Sequence, residues 1–190
     1  MHNRHLVVQN CIYCIYSCIR GNNFLSVKLQ PPKLQSSKTH QKTNNKQQIT
    51  NSKTEIIKTE KAATPLGAYP HARKVGELLF LSGIGSRSAV DNKIPGLEID
   101  EAGNIVKYDI EAECHAVFAN VKAVLEASGS SWEKIVDVTV YLTNMKADFP
   151  VYNKIYSDYF SGVEACRTTV EVKSLPTPIA IELKVIATIE

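Results

Sequence analysis

CRTTVEVKSLPTPIAIELKVIATIE, residues 166–190, is the stretch that decides the fold. It reads as two strands, Arg167–Lys173 and Ile179–Ile189, joined through Leu175-Pro176-Thr177-Pro178. Strand side chains alternate between faces. In the last strand Ile179, Ile181, Leu183, Val185, Ala187 and Ile189 share one face; Ala180, Glu182, Lys184, Ile186 and Thr188 share the other. In the strand before it Val170 and Val172 oppose Arg167, Thr169 and Glu171. If both apolar rows meet a layer of helices, Arg167 and Glu182 fall together on the uncovered face.

The helices are found upstream. Asp109 can cap a helix in which Ile110, Cys114, Val117, Phe118, Val121, Val124 and Leu125 recur at steps of three and four, with Gly129 closing it. A second runs through Phe149, Tyr152, Ile155, Tyr156, Tyr159 and Phe160, with Pro150 expected in its first turn. Its aromatic spacing reads as core. Between the two, Ile135 to Leu142 alternates, with Val136, Val138, Val140 and Leu142 on one face. Arg73–Val75 and Leu78–Ser82 around Gly76-Glu77 read as a hairpin, and 84–100 as a long loop before a turn at Gly103-Asn104. The order β-β-α-β-α-β-β predicts an α+β domain over 64–190, a mixed sheet with two helices on one face. Its half-apolar open face predicts a subunit interface.

The upstream residues differ in kind. Residues 1–54 carry eight of the 22 Lys and Arg and no acid, which leaves 14 basic and all 19 acidic residues beyond them. Such an acidic domain is a poor partner for nucleic acid. Residues 1–60 read as a disordered or targeting extension, since Gln30 to Lys53 is rich in Lys, Gln, Asn, Ser, Thr and Pro. The expectation is a cytoplasmic protein, or a mitochondrial one if the basic tail is a presequence. Cys11, Cys14 and Cys18 form C-x2-C-x3-C without a fourth ligand in view. Cys114 reads as core, and Cys114 and Cys166 do not make a disulfide framework. His71 and His115 do not form a metal-ligand cluster, so chemistry here is expected to need neither metal nor cofactor.

Arg167 can hold a carboxylate through two parallel hydrogen bonds, or serve as a salt-bridge partner. Glu182 can handle a water, or pair with Arg167 or Lys184. Ser82-Gly83 permits close backbone approach to a ligand, or is a plain turn. Asn153 is a ligand amide or a satisfied interior one.

Gly67-Ala68-Tyr69, Leu79-Phe80-Leu81-Ser82-Gly83, Asp148-Phe149-Pro150-Val151-Tyr152-Asn153, Cys166 to Val172, Leu175-Pro176 and Ile181-Glu182, in that order, resemble the YjgF/Rid (reactive intermediate deaminase) family. The resemblance runs from Thr64 to Glu190. It implies a chorismate-mutase-like fold, a homotrimer with sites between subunits, and hydrolytic deamination of carboxylate-bearing enamines or imines without a cofactor; the charge balance and the lack of a run of about 20 apolar residues add the expectation of no nucleic-acid and no membrane partner. Arg167 would bind the substrate carboxylate and Glu182 would position the water. Tyr69, Ser82, Gly83, Asn153 and Thr169 would line the site. Thr169 stands where many members have a cysteine. Ala68-Tyr69-Pro70-His71, Ser86-Arg87, Asp91-Asn92 and the Leu175-Pro176-x-Pro178 turn resemble the 2-aminomuconate deaminases, which implies conversion of 2-aminomuconate to 4-oxalocrotonate and ammonia. That substrate has a second carboxylate, for which Arg87 or His71 is the expected anchor. The alternatives are a broad 2-iminobutanoate/2-iminopropanoate deaminase, and a non-catalytic module that binds 2-oxo acids or acts as a regulator.

Overall fold

A computed structural model describes residues 54–189. The expectations for the basic tail, and for Cys11, Cys14 and Cys18, lie outside these residues. The strands are β1 (Thr54–Ile57), β2 (Ala72–Val75), β3 (Leu78–Leu81), β4 (Ile84–Gly85), β5 (Glu98–Ile99), β6 (Ile105–Lys107), β7 (Ile135–Leu142), β8 (Cys166–Glu171) and β9 (Ile181–Thr188). The helices are α1 (Ile110–Ala127) and α2 (Met145–Phe160). The main sheet runs β1-β2-β3-β9-β7-β8, with the short β4 also paired to β9. All its pairings are antiparallel except β7 with β8. Both helices pack on one face, which is the architecture expected from the sequence, with added strands. β1 pairs with β2 and lies upstream of the expected start at Thr64. β5 and β6 form a separate ribbon within the stretch that reads as loop.

β9 is central because its apolar row is continuous. Ile181, Leu183, Val185 and Ala187 are each fully buried, as are Val138, Val140 and Leu142 opposite them on β7. Burying each such Val or Leu contributes about 1.5–3 kcal/mol. Val117, Phe118, Val121, Val124 and Leu125 of α1, with Tyr152, Ile155 and Phe160 of α2, close the core from above. Val136 departs from the expected row: the register shifts between Ile135 and Asp137, so Ile135 turns inward and Val136 is exposed.

Local signals explain the helix ends. The Asp109 side chain accepts from the Ala112 N–H at 3.0 Å, and Gly129 takes φ 78° just past the end of α1. Asn144 caps α2 by accepting from the Ala147 N–H. Because α2 starts at Met145, Pro150 sits in its second turn rather than its first, and the Lys146 carbonyl lacks its usual helical donor. Tyr108 donates to the buried Asp148 carboxylate, which fastens the approach to α1 onto α2. Among the described residues no helix is long and apolar enough to cross a membrane.

β8 and β9 are not neighbours. β7 lies between them, because α2 returns the chain to the far side of β7 and makes β8 the edge strand. This overturns the expected common face for Arg167 and Glu182. Arg167 is aligned with Val138, which points to the helices, whereas Glu182 is aligned with Tyr141, which points away. Cross-strand partners share a face. Arg167, Thr169 and Glu171 therefore lie on the helix side, and Glu171 accepts from the Met145 N–H at the start of α2.

Candidate active site

The expected site residues fall into two groups. The first surrounds Glu182. Ile181 and Leu183 anchor their strand in the core and turn Glu182 to the open face. Its neighbour in the ladder is Gly85. A methyl group at Gly83 would lie 2.9 Å from the Glu182 carboxyl carbon, so the glycine makes room for the carboxylate. Among the described residues no cation pairs with Glu182. Burial alone raises its pKa above the ordinary carboxylate value.

The Ser82 hydroxyl donates to the Pro70 carbonyl at 2.6 Å, and the Ser82 N–H donates to the His71 carbonyl. These bonds hold the loop that carries Tyr69 against the end of β3. Tyr69 is 47% exposed and, with Gly83, Gly85, Arg87 and Asn120, lines a narrow cleft. Asn120, which the sequence reading missed, donates to the Gly85 and Arg87 carbonyls at 2.9 and 2.8 Å. It shapes this cleft from α1.

Both expected anchors for a second carboxylate are engaged within the protein. His71 is buried; its Nδ1 accepts from the Thr59 N–H at 3.2 Å and its Nε2 donates to the Ala63 carbonyl at 3.1 Å. That pairing makes the ring a clip for the loop. Arg87 uses Nη1 on the Asn92 side-chain oxygen and Nη2 on the Thr64 carbonyl, both at 2.8 Å. It ties two loops together.

The second group surrounds Arg167. Its Nη1 donates to the Asn153 side-chain oxygen at 3.0 Å. Its guanidinium carbon lies 4.5 Å from the Tyr156 ring centre and 5.8 Å from that of Tyr152. Thr169 follows on the same face. The hydroxyl oxygens of Thr169, Tyr152 and Tyr156 are buried without a hydrogen-bond partner among the described residues. Burial pushes both tyrosine phenols up, and the Arg167 charge opposes it. The aromatic spacing of α2 is core, as expected, and it is also the floor beneath Arg167.

Arg167, Asn153 and Thr169 thus stand together on the helix side of the edge strand. Glu182 stands beside Gly83 on the open side, and Ser82 and Tyr69 flank that glycine, Tyr69 in the cleft that Asn120 shapes from α1. Among the described residues no three His, Cys, Asp or Glu side chains converge to hold a metal. Cys114 is buried and its thiol is pushed up to about 12, first by burial.

The family model described as Endoribonuclease L-PSP matches residues 59–189. The chain belongs to that family. A RutC family protein of Pyrococcus abyssi is 42% identical over 134 residues, 70% of this chain and 95% of the relative. A 2-iminobutanoate/2-iminopropanoate deaminase of Dermatophagoides farinae is 34% identical over 136 residues, 71% of this chain and 96% of the relative. The crystal structure of yeast Mmf1 superposes with a TM-score of 0.63 at 30% identity, over 73% of this chain and all of that one. These relatives bear out the YjgF/Rid resemblance and the fold it implies.

Proposed function

We propose that the protein is a cofactor-independent deaminase of small enamines and imines bearing a carboxylate, with its site assembled between copies of the chain in a homotrimer. The observation that carries this reading is the segregation of two incomplete half-sites, each prepared for one task. Arg167 is oriented by Asn153 and by the Tyr156 ring, with the rest of its planar fork left for a carboxylate. Glu182 is a partly desolvated carboxyl, without a cation partner among the described residues, for which the missing side chain of Gly83 leaves room. They lie on opposite faces, so a helix-side edge of one copy against the open face of another is the arrangement that completes the site.

The chemistry needs little else. Arg167 fixes the carboxylate beside the reacting carbon. An enamine first tautomerises to its imine. Water adds to the imine carbon as Glu182 takes a proton from it. The proton passes to the nitrogen of the resulting carbinolamine; Glu182 then carries the hydroxyl proton to the same nitrogen, so that the C–N bond breaks and ammonia leaves as the carbonyl forms. A carboxyl held above its ordinary pKa is suited to both accepting and returning that proton.

For the substrate, the subgroup motifs around Tyr69 and Arg87 support 2-aminomuconate, giving 4-oxalocrotonate. The engagement of His71 and Arg87 within the protein favours the second reading, a monocarboxylic 2-iminobutanoate or 2-iminopropanoate, the substrates named for the mite relative. Turnover of 2-aminomuconate against 2-iminobutanoate, read as ammonia release, decides between them. Arg167→Ala is the control, and about a hundredfold loss of kcat/KM is expected from a carboxylate deprived of its charged hydrogen bonds. Unchanged activity in that variant would remove the site, and no turnover of either substrate would leave a binding module. The balance of 14 basic against 19 acidic residues beyond the tail does not favour the phosphate contacts that the ribonuclease of the family's description would need.

A further inference from the structure

Arg167 is exposed on an edge strand, where a long side chain samples many rotamers. One hydrogen bond to Asn153 fixes a single nitrogen and leaves the guanidinium plane free to rotate about that contact. Tyr156 supplies the missing constraint. Its ring lies under the guanidinium at 4.5 Å, and on its other side it stacks on Phe160 at 3.9 Å with an interplanar angle of 7°. Phe160 is buried and meets Trp132 at 4.8 Å and Phe118 at 5.9 Å. The stack Arg167–Tyr156–Phe160 thus runs from the edge of the sheet into the core.

We infer that Tyr156 is a positioning residue, which holds the Arg167 guanidinium in the plane that receives a substrate carboxylate. The inference rests on the proposed deaminase reading and assigns this aromatic ring a role in affinity. The ring performs it, because the Tyr156 hydroxyl has no hydrogen-bond partner to lose. The effect is on binding, since the ring acts on the anchor and not on the reacting carbon.

The test measures KM and kcat on 2-iminobutanoate, together with equilibrium binding of the stable product 2-oxobutanoate. Tyr156→Leu raises KM and the product Kd by about tenfold with kcat little changed. Tyr156→Phe restores the wild-type values. In an Arg167→Lys background, which lacks the planar fork, Tyr156→Leu has no further effect on KM. Tyr156→Met carries the same expectation if the leucine variant does not fold. A fall in kcat with KM unchanged, equal effects of Phe and Leu, or full additivity with Arg167→Lys overturns the inference while leaving the deaminase reading in place. A wild-type protein that turns over neither 2-iminobutanoate nor 2-aminomuconate and does not bind 2-oxobutanoate overturns both.

Discussion

Arg167 and Glu182 lie on opposite faces of one sheet, with β7 between their strands. Two strand spacings, about 10 Å, separate them across the sheet, and their aligned positions on β7, Val138 and Tyr141, are offset by about another 10 Å along it. A guanidinium and a carboxylate so placed cannot clamp one small substrate within a single chain. Each instead has its own support: an aromatic stack and an amide for Arg167, the space beside Gly83 and Gly85 for Glu182.

Gly83→Ala separates the site from the fold. The added methyl meets the Glu182 carboxylate, while Gly83 itself is exposed and outside the left-handed region that demands glycine. The carboxylate must move, and a displaced water-handling group is expected to lower kcat by at least about tenfold. The melting temperature should stay within a few degrees of wild type. Circular dichroism and ammonia release check the two halves.

The activity should carry the signature of Glu182. Burial raises its pKa, and the ionised form is the one that accepts a proton from water. The rate should therefore fall as pH is lowered through a value above the ordinary carboxylate range. A pH profile of kcat/KM checks this. A limb at the ordinary value would mean that a solvated carboxylate is responsible.

Glu113 gives an independent prediction about stability. It is fully buried on α1; its Oε2 accepts from the Ser86 hydroxyl at 2.7 Å and the Ala180 N–H at 2.9 Å, and its Oε1 has no partner. Burial raises its pKa, and the two hydrogen bonds oppose the shift without cancelling it. The folded state thus holds this proton more tightly than the unfolded one. Stability is lost as pH rises from the unfolded value, near 4.5, through the raised folded value. Glu113→Gln keeps an acceptor for both bonds and removes the charge. Its melting temperature should exceed that of wild type at pH 7, and the gap should close toward pH 4. A gap that does not depend on pH would contradict this account.

Much of this structure was legible in the sequence. The period of α1, the apolar row of β9 and the Gly76 hairpin are local patterns, and each appears as an element of the expected type. The bulge beside Val136 and the start of α2 at Met145 were not legible, because register and helix onset there depend on what packs above them. The larger miss concerns β8. Its two faces are both largely exposed, so alternation says which residues share a face but not which face meets the helices. Pairing β8 with the next strand in the chain was the natural assumption, and the α2 crossover defeats it. The resemblance named Arg167, Asn153, Glu182 and Gly83 as one site; the structure pairs Arg167 with Asn153 and Glu182 with Gly83, a separation that, like the engagement of His71 and Arg87, required the strands and loops to be placed. Tyr156 was visible only as one more apolar position on a helix.

The claim that the site spans two copies is tested most directly by complementation. Arg167→Ala and Glu182→Gln proteins, each inactive alone, are mixed in equal amounts, dissociated and reassembled, and ammonia release from an enzymatically generated imine is measured. Random reassembly gives roughly a quarter of the interfaces an intact Arg167 from one copy and an intact Glu182 from its neighbour, and about that share of wild-type activity should return. Activity no higher than that of the separate variants, in a mixture shown by mass to contain hybrid oligomers, would contradict a site shared between copies.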